Sequence, residues 1–117
     1  MELYPRQDQN RVVAKLLDAL PELRPAYMQH IADNAEPLPY VFLADAVRYI
    51  EHELDCRNLP EHFLDRFAQA IEDALESDPD SHDLIGIGIL EAIKSSTLWE
   101  KMSNRLGKRS LDVVSEG

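Results

Sequence analysis

The feature that most constrains the fold of this chain is the recurrence of apolar residues at helical spacing between prolines. In the clearest case every fourth position is apolar, at Phe63, Phe67, Ile71 and Leu75. An amphipathic helix needs such a stripe to bury one of its faces. A proline cannot lie inside a regular helix, so each proline begins or ends a segment. The pattern predicts an all-α protein.

Six segments have this helical pattern: residues 9–20, 22–33, 41–54, the stretch between Pro60 and Ser77, 82–94, and 98–106. The length of 117 residues suits one domain. We therefore expect a compact bundle of five or six helices, and helix pairs of this length would also suit a HEAT-like stack. Gly107 ends the last segment. We predict a single domain over residues 1–107 and a flexible C-terminal tail over residues 108–117.

The segment 82–94 is open to two interpretations. Residues 84–90 are mostly aliphatic and could form a buried strand, and Gly86 and Gly88 would each weaken a helix by about 1 kcal/mol. A helix is favoured because the apolar residues lie all round the helical wheel, as in a central helix, and residues 91–94 continue in helical register. The glycines would then allow a neighbouring helix to approach closely.

The composition excludes several classes of protein. The chain has 12 basic and 22 acidic residues and a net charge of −10, which argues against nucleic acid or an anionic membrane as partner. The longest apolar run, residues 40–44, is too short to span a bilayer, and the first residues lack a signal-peptide pattern. The single cysteine, Cys56, excludes an internal disulfide. We expect an acidic cytoplasmic protein.

The acidic charge is concentrated in residues 59–91, which hold nine acidic residues and one basic residue, Arg66. On a helical wheel four of the acidic residues fall within about 60° of one another. Such a face can simply keep a small protein soluble, or it can dock a basic partner. The lack of compensating cations in this stretch favours docking. The predicted partner-binding residues are Glu61, Asp65, Glu72, Asp73, Glu76, Asp78, Asp80 and Asp83.

Candidate catalytic and metal-binding patterns are weak. His52 and Cys56 have i,i+4 spacing and His62 follows, but the chain has no CxxC or HExxH motif. The segment with Gly86 lacks the third glycine of a dinucleotide site, and residues 78–83 lack the central glycine of a calcium loop. No constellation supports catalysis. We expect a protein that is not an enzyme and has no cofactor or metal.

Two stretches carry a family resemblance when they are taken together. The first begins at Pro39 and has Phe42, Asp45, Arg48 and Tyr49 in the motif positions. The second, residues 84–91, is an aliphatic helix that ends in Leu-Glu. With this spacing the chain resembles a family of small acidic all-helical immunity proteins from bacterial polymorphic-toxin and secretion-system loci. The resemblance covers about residues 10–95.

The resemblance implies that the protein binds a cognate toxin and blocks it without any catalytic apparatus. Such proteins often set an acidic surface against toxins with a basic active-site cleft. From the charge alone, we place toxin binding on the eight acidic residues and expect steric occlusion. Asp45 and Arg48 lie three residues apart and are expected to form an intramolecular ion pair.

Two other interpretations remain open, and the oligomeric state is not predicted. One is a cytoplasmic helical adaptor or scaffold that inhibits nothing. The other is a metal-binding regulator or small metalloenzyme that uses His52, Cys56 and His62.

Overall fold

The protein folds as helices throughout the part of the chain that its computed structural model describes, which is residues 6–35, 38–60, 62–77 and 81–116. Those residues form seven α-helices and no strand, which confirms the all-α prediction. A 3₁₀ turn at Pro21–Leu23 precedes α2, and a π-helical segment at Leu84–Leu90 leads directly into α5. The helices are α1 Arg6–Ala19, α2 Arg24–Asn34, α3 Pro39–Asp55, α4 Phe63–Ser77, α5 Glu91–Lys94, α6 Leu98–Met102 and α7 Lys108–Glu116.

The helix boundaries follow local sequence signals. Pro25 and Pro39 lie in the first turns of α2 and α3, where the missing N–H costs no helical hydrogen bond. At the other end of α3, Arg57 takes a left-handed conformation with φ of 59°. Its N–H donates to the Leu54 carbonyl (3.1 Å), and the Asn58 N–H donates to that of Glu53 (2.9 Å). This pairing is a Schellman motif, and it turns the chain back toward α4.

The core is formed mainly by α1, α3, α4 and the π-helical segment, which supply most of its buried residues. The predicted stripe on α4 is largely buried, since Phe63, Phe67 and Ile71 are each at most 2% exposed. They pack in one cluster with Phe42 of α3 and Ile85 of the π-helical segment. Each such side chain contributes about 1.5–3 kcal/mol through its removal from water. The radius of gyration, 13.5 Å, is that of a compact domain of this length.

The π-helical segment runs between α3 and α7. A Cβ atom at Gly88 would lie 3.1 Å from Cδ1 of Leu43 on α3, and one at Gly86 would lie 2.9 Å from Cγ1 of Val113 on α7. The prediction that these glycines allow close helix approach is therefore confirmed, and the strand alternative is wrong. The N–H of Glu91 donates to the Gly86 carbonyl, five residues back, so the backbone is wider here than in an α-helix.

The prediction of a flexible tail over residues 108–117 is wrong. Lys108–Glu116 form α7, which packs between α4 and the π-helical segment. Ser110 is fully buried at 0% exposure, and Val113 and Val114 pack against the core. The apolar spacing of α7 is helical, but the residues that hold its first turn come from α4, so the local sequence gave little sign of it. The domain therefore includes α7, while Gly117 lies outside the described residues.

Truncation after Gly107 should destabilise the protein. We expect the free energy of unfolding to fall by about 2–4 kcal/mol, because the packing of two valines and a buried serine is lost. Urea denaturation followed by circular dichroism measures this, with truncation after Ser115 as the control. Equal urea midpoints for the two truncated forms would show that α7 does not contribute to the fold.

Candidate functional site: the acidic face of α4

Five of the eight predicted partner-binding residues lie in the described part of the chain: Asp65, Glu72, Asp73, Glu76 and Asp83. The other three lie outside it: Glu61, Asp78 and Asp80. Four of the described five are on α4, and Asp83 directly precedes the π-helical segment. The Ser81 hydroxyl donates to the Ala74 carbonyl (3.0 Å), which brings the start of the next helix back to α4.

Glu72 is the most buried of these five residues, with 15% of its side chain exposed. One carboxylate oxygen, Oε2, accepts hydrogen bonds from the backbone N–H (3.1 Å) and Nη1 (3.3 Å) of Arg109. The other, Oε1, accepts from the backbone N–H (3.1 Å) and hydroxyl (3.0 Å) of Ser110. The carboxylate therefore caps the first turn of α7, whose N–H groups have no partner within that helix.

The close approach of Glu72 to α7 depends on Gly107. A Cβ atom at Gly107 would lie 2.5 Å from Oε1 of Glu72, so a side chain at this position would displace the carboxylate. The negative charge of the Glu72 carboxylate also attracts the partial positive charge at the N-terminus of α7. Partial burial raises the pKa of Glu72, but the hydrogen bonds from Ser110 and Arg109 outweigh it. The pKa of Glu72 is therefore lowered from its ordinary value of 4.5.

Two arginines from the C-terminal part of the chain pair with two further carboxylates of this face. Nε of Arg105 lies 2.9 Å from Oδ1 of Asp65, and Nη2 of Arg109 lies 3.7 Å from Oε2 of Glu76. Nδ1 of His62 is also 3.8 Å from Oδ2 of Asp65. Arg105 and Arg109 thus partly neutralise the acidic face, and both lie outside residues 59–91.

The carboxylates that stay accessible define a smaller surface, which we call the exposed acidic face: Asp73, Glu76 and Asp83. Asp73 is exposed and accepts a hydrogen bond from Nε2 of Gln69 on the same helix (2.8 Å), and the Glu76 side chain is 60% exposed. Arg66, the only basic residue between 59 and 91, hydrogen-bonds to Glu22 of the 3₁₀ turn. The positive charge of Arg66 is therefore paired with Glu22, outside the acidic face of α4.

A second polar feature is a groove of about 570 Å³ between α2 and α3, which contains three of the residues that carry the family resemblance. Two of them, Asp45 and Arg48, form the intramolecular ion pair that their spacing predicts. The third is Tyr49. Burial, and secondarily the Glu53 carboxylate, raises the pKa of Tyr49 from its ordinary value of 10.0.

His30 lines the same groove and was not singled out from the sequence. It is 3% exposed, and its Nε2 accepts a hydrogen bond from the Leu38 N–H (3.0 Å). The other ring nitrogen, Nδ1, lies 3.2 Å from Nδ2 of Asn34 and 3.8 Å from Oδ2 of Asp45. His30 joins α2 to the start of α3, and this structural role accounts for its burial. A lone histidine in a helical segment gives no signal of such a contact.

The proposed metal set does not come together in the described residues. Sγ of Cys56 lies 3.7 Å from Nε2 of His52, but both side chains are at the exposed end of α3. His62 is paired instead with Asp65. Among the residues that the structure describes, no three His, Cys, Asp or Glu side chains form a group that could hold a metal ion.

Sequence reasoning also missed Arg105, Arg109 and Ser110 as partners of the acidic face. One signal was present, since residues 92–117 hold five basic and three acidic residues, the reverse of the balance in residues 59–91. Opposite charge excess in two segments of one small domain favours contact between them.

The fold and the site together define a small all-α protein with an acidic face on α4. Residues 13–116 match the profile of the family described as a domain of unknown function, DUF7674, and the chain belongs to that family. The match includes α7 as well as both stretches that carry the resemblance. No curated protein and no solved structure matches the chain. None of the described helices is long and apolar enough to cross a bilayer.

Replacing Glu72 by glutamine should remove a pH-dependent part of the stability. A carboxyl group whose pKa is lowered by folding stabilises the native state well above pH 4.5, and this contribution is lost as the pH falls below that value. We expect Glu72→Gln to lower the free energy of unfolding by about 1 kcal/mol at pH 7. The difference from wild type should shrink as the pH falls below 4.5. Urea unfolding across this pH range measures it.

The matched control is Glu76→Gln, because Glu76 is on the same helix but its side chain is 60% exposed. It should change the stability by only a few tenths of a kcal/mol. If both variants had the same pH dependence, the Glu72 cap on α7 would contribute no more to stability than an exposed carboxylate does.

Proposed function

We propose that the chain is a bacterial immunity protein, which binds a cognate protein toxin in the cytoplasm and neutralises it by occlusion rather than by catalysis. One observation carries this proposal. Residues 59–91 hold nine acidic residues and one basic residue, and Asp73, Glu76 and Asp83 of this stretch are exposed although Arg105 and Arg109 bind carboxylates of α4. The family resemblance described above points in the same direction.

The physical argument concerns the partner that such a face attracts. A toxin that cleaves or modifies nucleic acid needs a basic cleft to bind phosphates. Carboxylates presented on a rigid helix can occupy that cleft in place of phosphates. Opposite charges also steer the two proteins together and speed their association. Fast association is useful to a protein that must reach a toxin before the toxin reaches its substrate.

The geometry narrows the set of residues that would contact the toxin. Glu72 is largely buried and uses both carboxylate oxygens to cap α7, so it is assigned to the fold. The side chains of Asp65 and Glu76 are both 60% exposed. Asp65 is the more tightly paired, since it lies 2.9 Å from Nε of Arg105, whereas Glu76 lies 3.7 Å from Nη2 of Arg109. We therefore assign first contact to the exposed acidic face, which consists of Asp73, Glu76 and Asp83.

Co-expression with the protein encoded immediately upstream of the chain tests the proposal. We expect a stable complex on purification and restored growth of cells that the upstream protein alone would kill. A stable complex with no effect on toxicity would favour the helical adaptor, which binds without inhibiting. A toxic upstream protein that neither binds the chain nor is neutralised by it would contradict the proposal.

Charge reversal tests the assigned surface once a complex is in hand. Asp73→Lys combined with Asp83→Lys should lower the association rate by about tenfold or more at low salt, because steering is lost. The difference from wild type should decrease at high salt. Stopped-flow or surface plasmon resonance measures the rates.

The control is Asp33→Lys combined with Asp55→Lys, which changes the net charge equally but on α2 and at the end of α3. A smaller effect is expected from this pair, since its residues are exposed and away from α4. If the two pairs slowed association equally, only the net charge would matter. An unchanged rate for the first pair would place the contact on another surface.

A further inference from the structure

A cleft of about 200 Å³ lies between the π-helical segment and α7. Its lining is mostly apolar and comes from both elements: Gly86, Ile87, Leu90, Val113 and Val114. The missing side chain of Gly86 makes room for Val113 against the π-helical backbone, so the two elements meet at the base of the cleft. An aliphatic cavity of about 150 Å³ holds a benzene molecule. This cleft is therefore large enough for one leucine-sized or phenylalanine-sized side chain.

Ile87 is the residue of the π-helical segment that is not buried. The other six residues of Leu84–Leu90 are buried, whereas Ile87 is 59% exposed at the edge of the cleft. A single exposed aliphatic residue on a protein surface is ordinary. Here it borders an apolar cavity, so a side chain that entered the cavity would also cover Ile87.

The charges around the cleft are arranged about Ile87. Asp83 and Glu91, four residues before and four residues after it, both line the cleft and are both exposed. His82 and Lys94 also line the cleft, with Lys94 beyond Glu91. An apolar centre flanked by two carboxylates is complementary to an apolar side chain flanked by lysine or arginine.

We propose that this cleft is a docking site for a helical segment of a partner protein that inserts one apolar side chain between basic residues. The apolar side chain fills the cavity and covers Ile87, while the basic residues pair with Asp83 and Glu91. Lys94 disfavours a further basic residue at that end of the segment. The inference rests on the proposed function only where it identifies the partner as the toxin.

A defined peptide tests the cleft without any toxin. The probe is a helical peptide of about 18 residues with one central leucine and a lysine four residues to either side of it. We expect it to shift the methyl NMR signals of Ile87, Leu90, Val113 and Val114. The same peptide with alanine for leucine should bind about tenfold more weakly or worse, and so should one with glutamate for both lysines. Equal binding of all three peptides, or shifts elsewhere on the protein, would overturn the proposal.

Variants of the protein supply the second arm of the test. Ile87→Ser should weaken binding of the leucine peptide by about tenfold. Met28→Ser is the matched control, because Met28 is 67% exposed on α2 and lies outside the cleft. Glu91→Lys, also at an exposed position, should weaken binding through charge alone. Full binding by Ile87→Ser and Glu91→Lys would show that the cleft is not the site.

The outcomes for the cleft and for the proposed function can be told apart. Peptide binding at the cleft without neutralisation of the upstream protein would support the docking site and contradict the immunity function. Neutralisation that Ile87→Ser and Glu91→Lys leave unchanged, with no peptide binding, would support the function and overturn the cleft.

Discussion

The contact between the Glu72 carboxylate and the first turn of α7 fixes the C-terminal helix to the rest of the domain. Two backbone N–H groups and two side chains of Arg109 and Ser110 donate to a carboxylate that is mostly shielded from water. An uncapped helix of nine residues would have little stability of its own. Because this cap holds α7 in place, Val113 can pack over Gly86 and cover one side of the π-helical segment. The packing of α7 on the π-helical segment therefore depends on a polar contact.

The parts of the fold that local patterns specify could be predicted. The four-residue repeat of Phe63, Phe67 and Ile71 predicted α4 and its buried face. The prolines predicted the breaks before α2 and α3, although these helices begin at Arg24 and Pro39 rather than at residues 22 and 41. The two glycines of the segment 84–90 gave a point of close helix packing, which the structure confirms on both sides of that segment. The π-helical form of the segment could not be predicted, because apolar residues all round a helix have no period that separates one helical geometry from another.

The parts that depend on distant residues could not be read from the sequence. The cap on α7 comes from a residue 37 positions earlier, so the segment had no N-cap of its own and resembled a tail. Glu72 was grouped correctly with Asp65 and Glu76 on one face of α4, but its role as a cap depends on Ser110 and Gly107. The same holds for His30, whose burial depends on the Leu38 N–H across a turn. Charge patterns in the sequence locate an acidic face, whereas only the fold shows which of its carboxylates are already paired within the protein.

The two proposed surfaces share Asp83, and α7 contacts both Glu72 and the apolar cleft. Glu72 holds the first turn of α7 through Arg109 and Ser110. One turn further along the same helix, Val113 and Val114 form a wall of the apolar cleft. A partner that reached both the exposed acidic face and the cleft would span the start of the π-helical segment, where Asp83 belongs to both surfaces. The Glu72 carboxylate that stabilises the fold is shielded, whereas Asp83 and Glu91 are exposed and flank the apolar centre of the cleft. Electrostatic steering and a single buried anchor can then act on the same partner, the first on the association rate and the second on the dissociation rate.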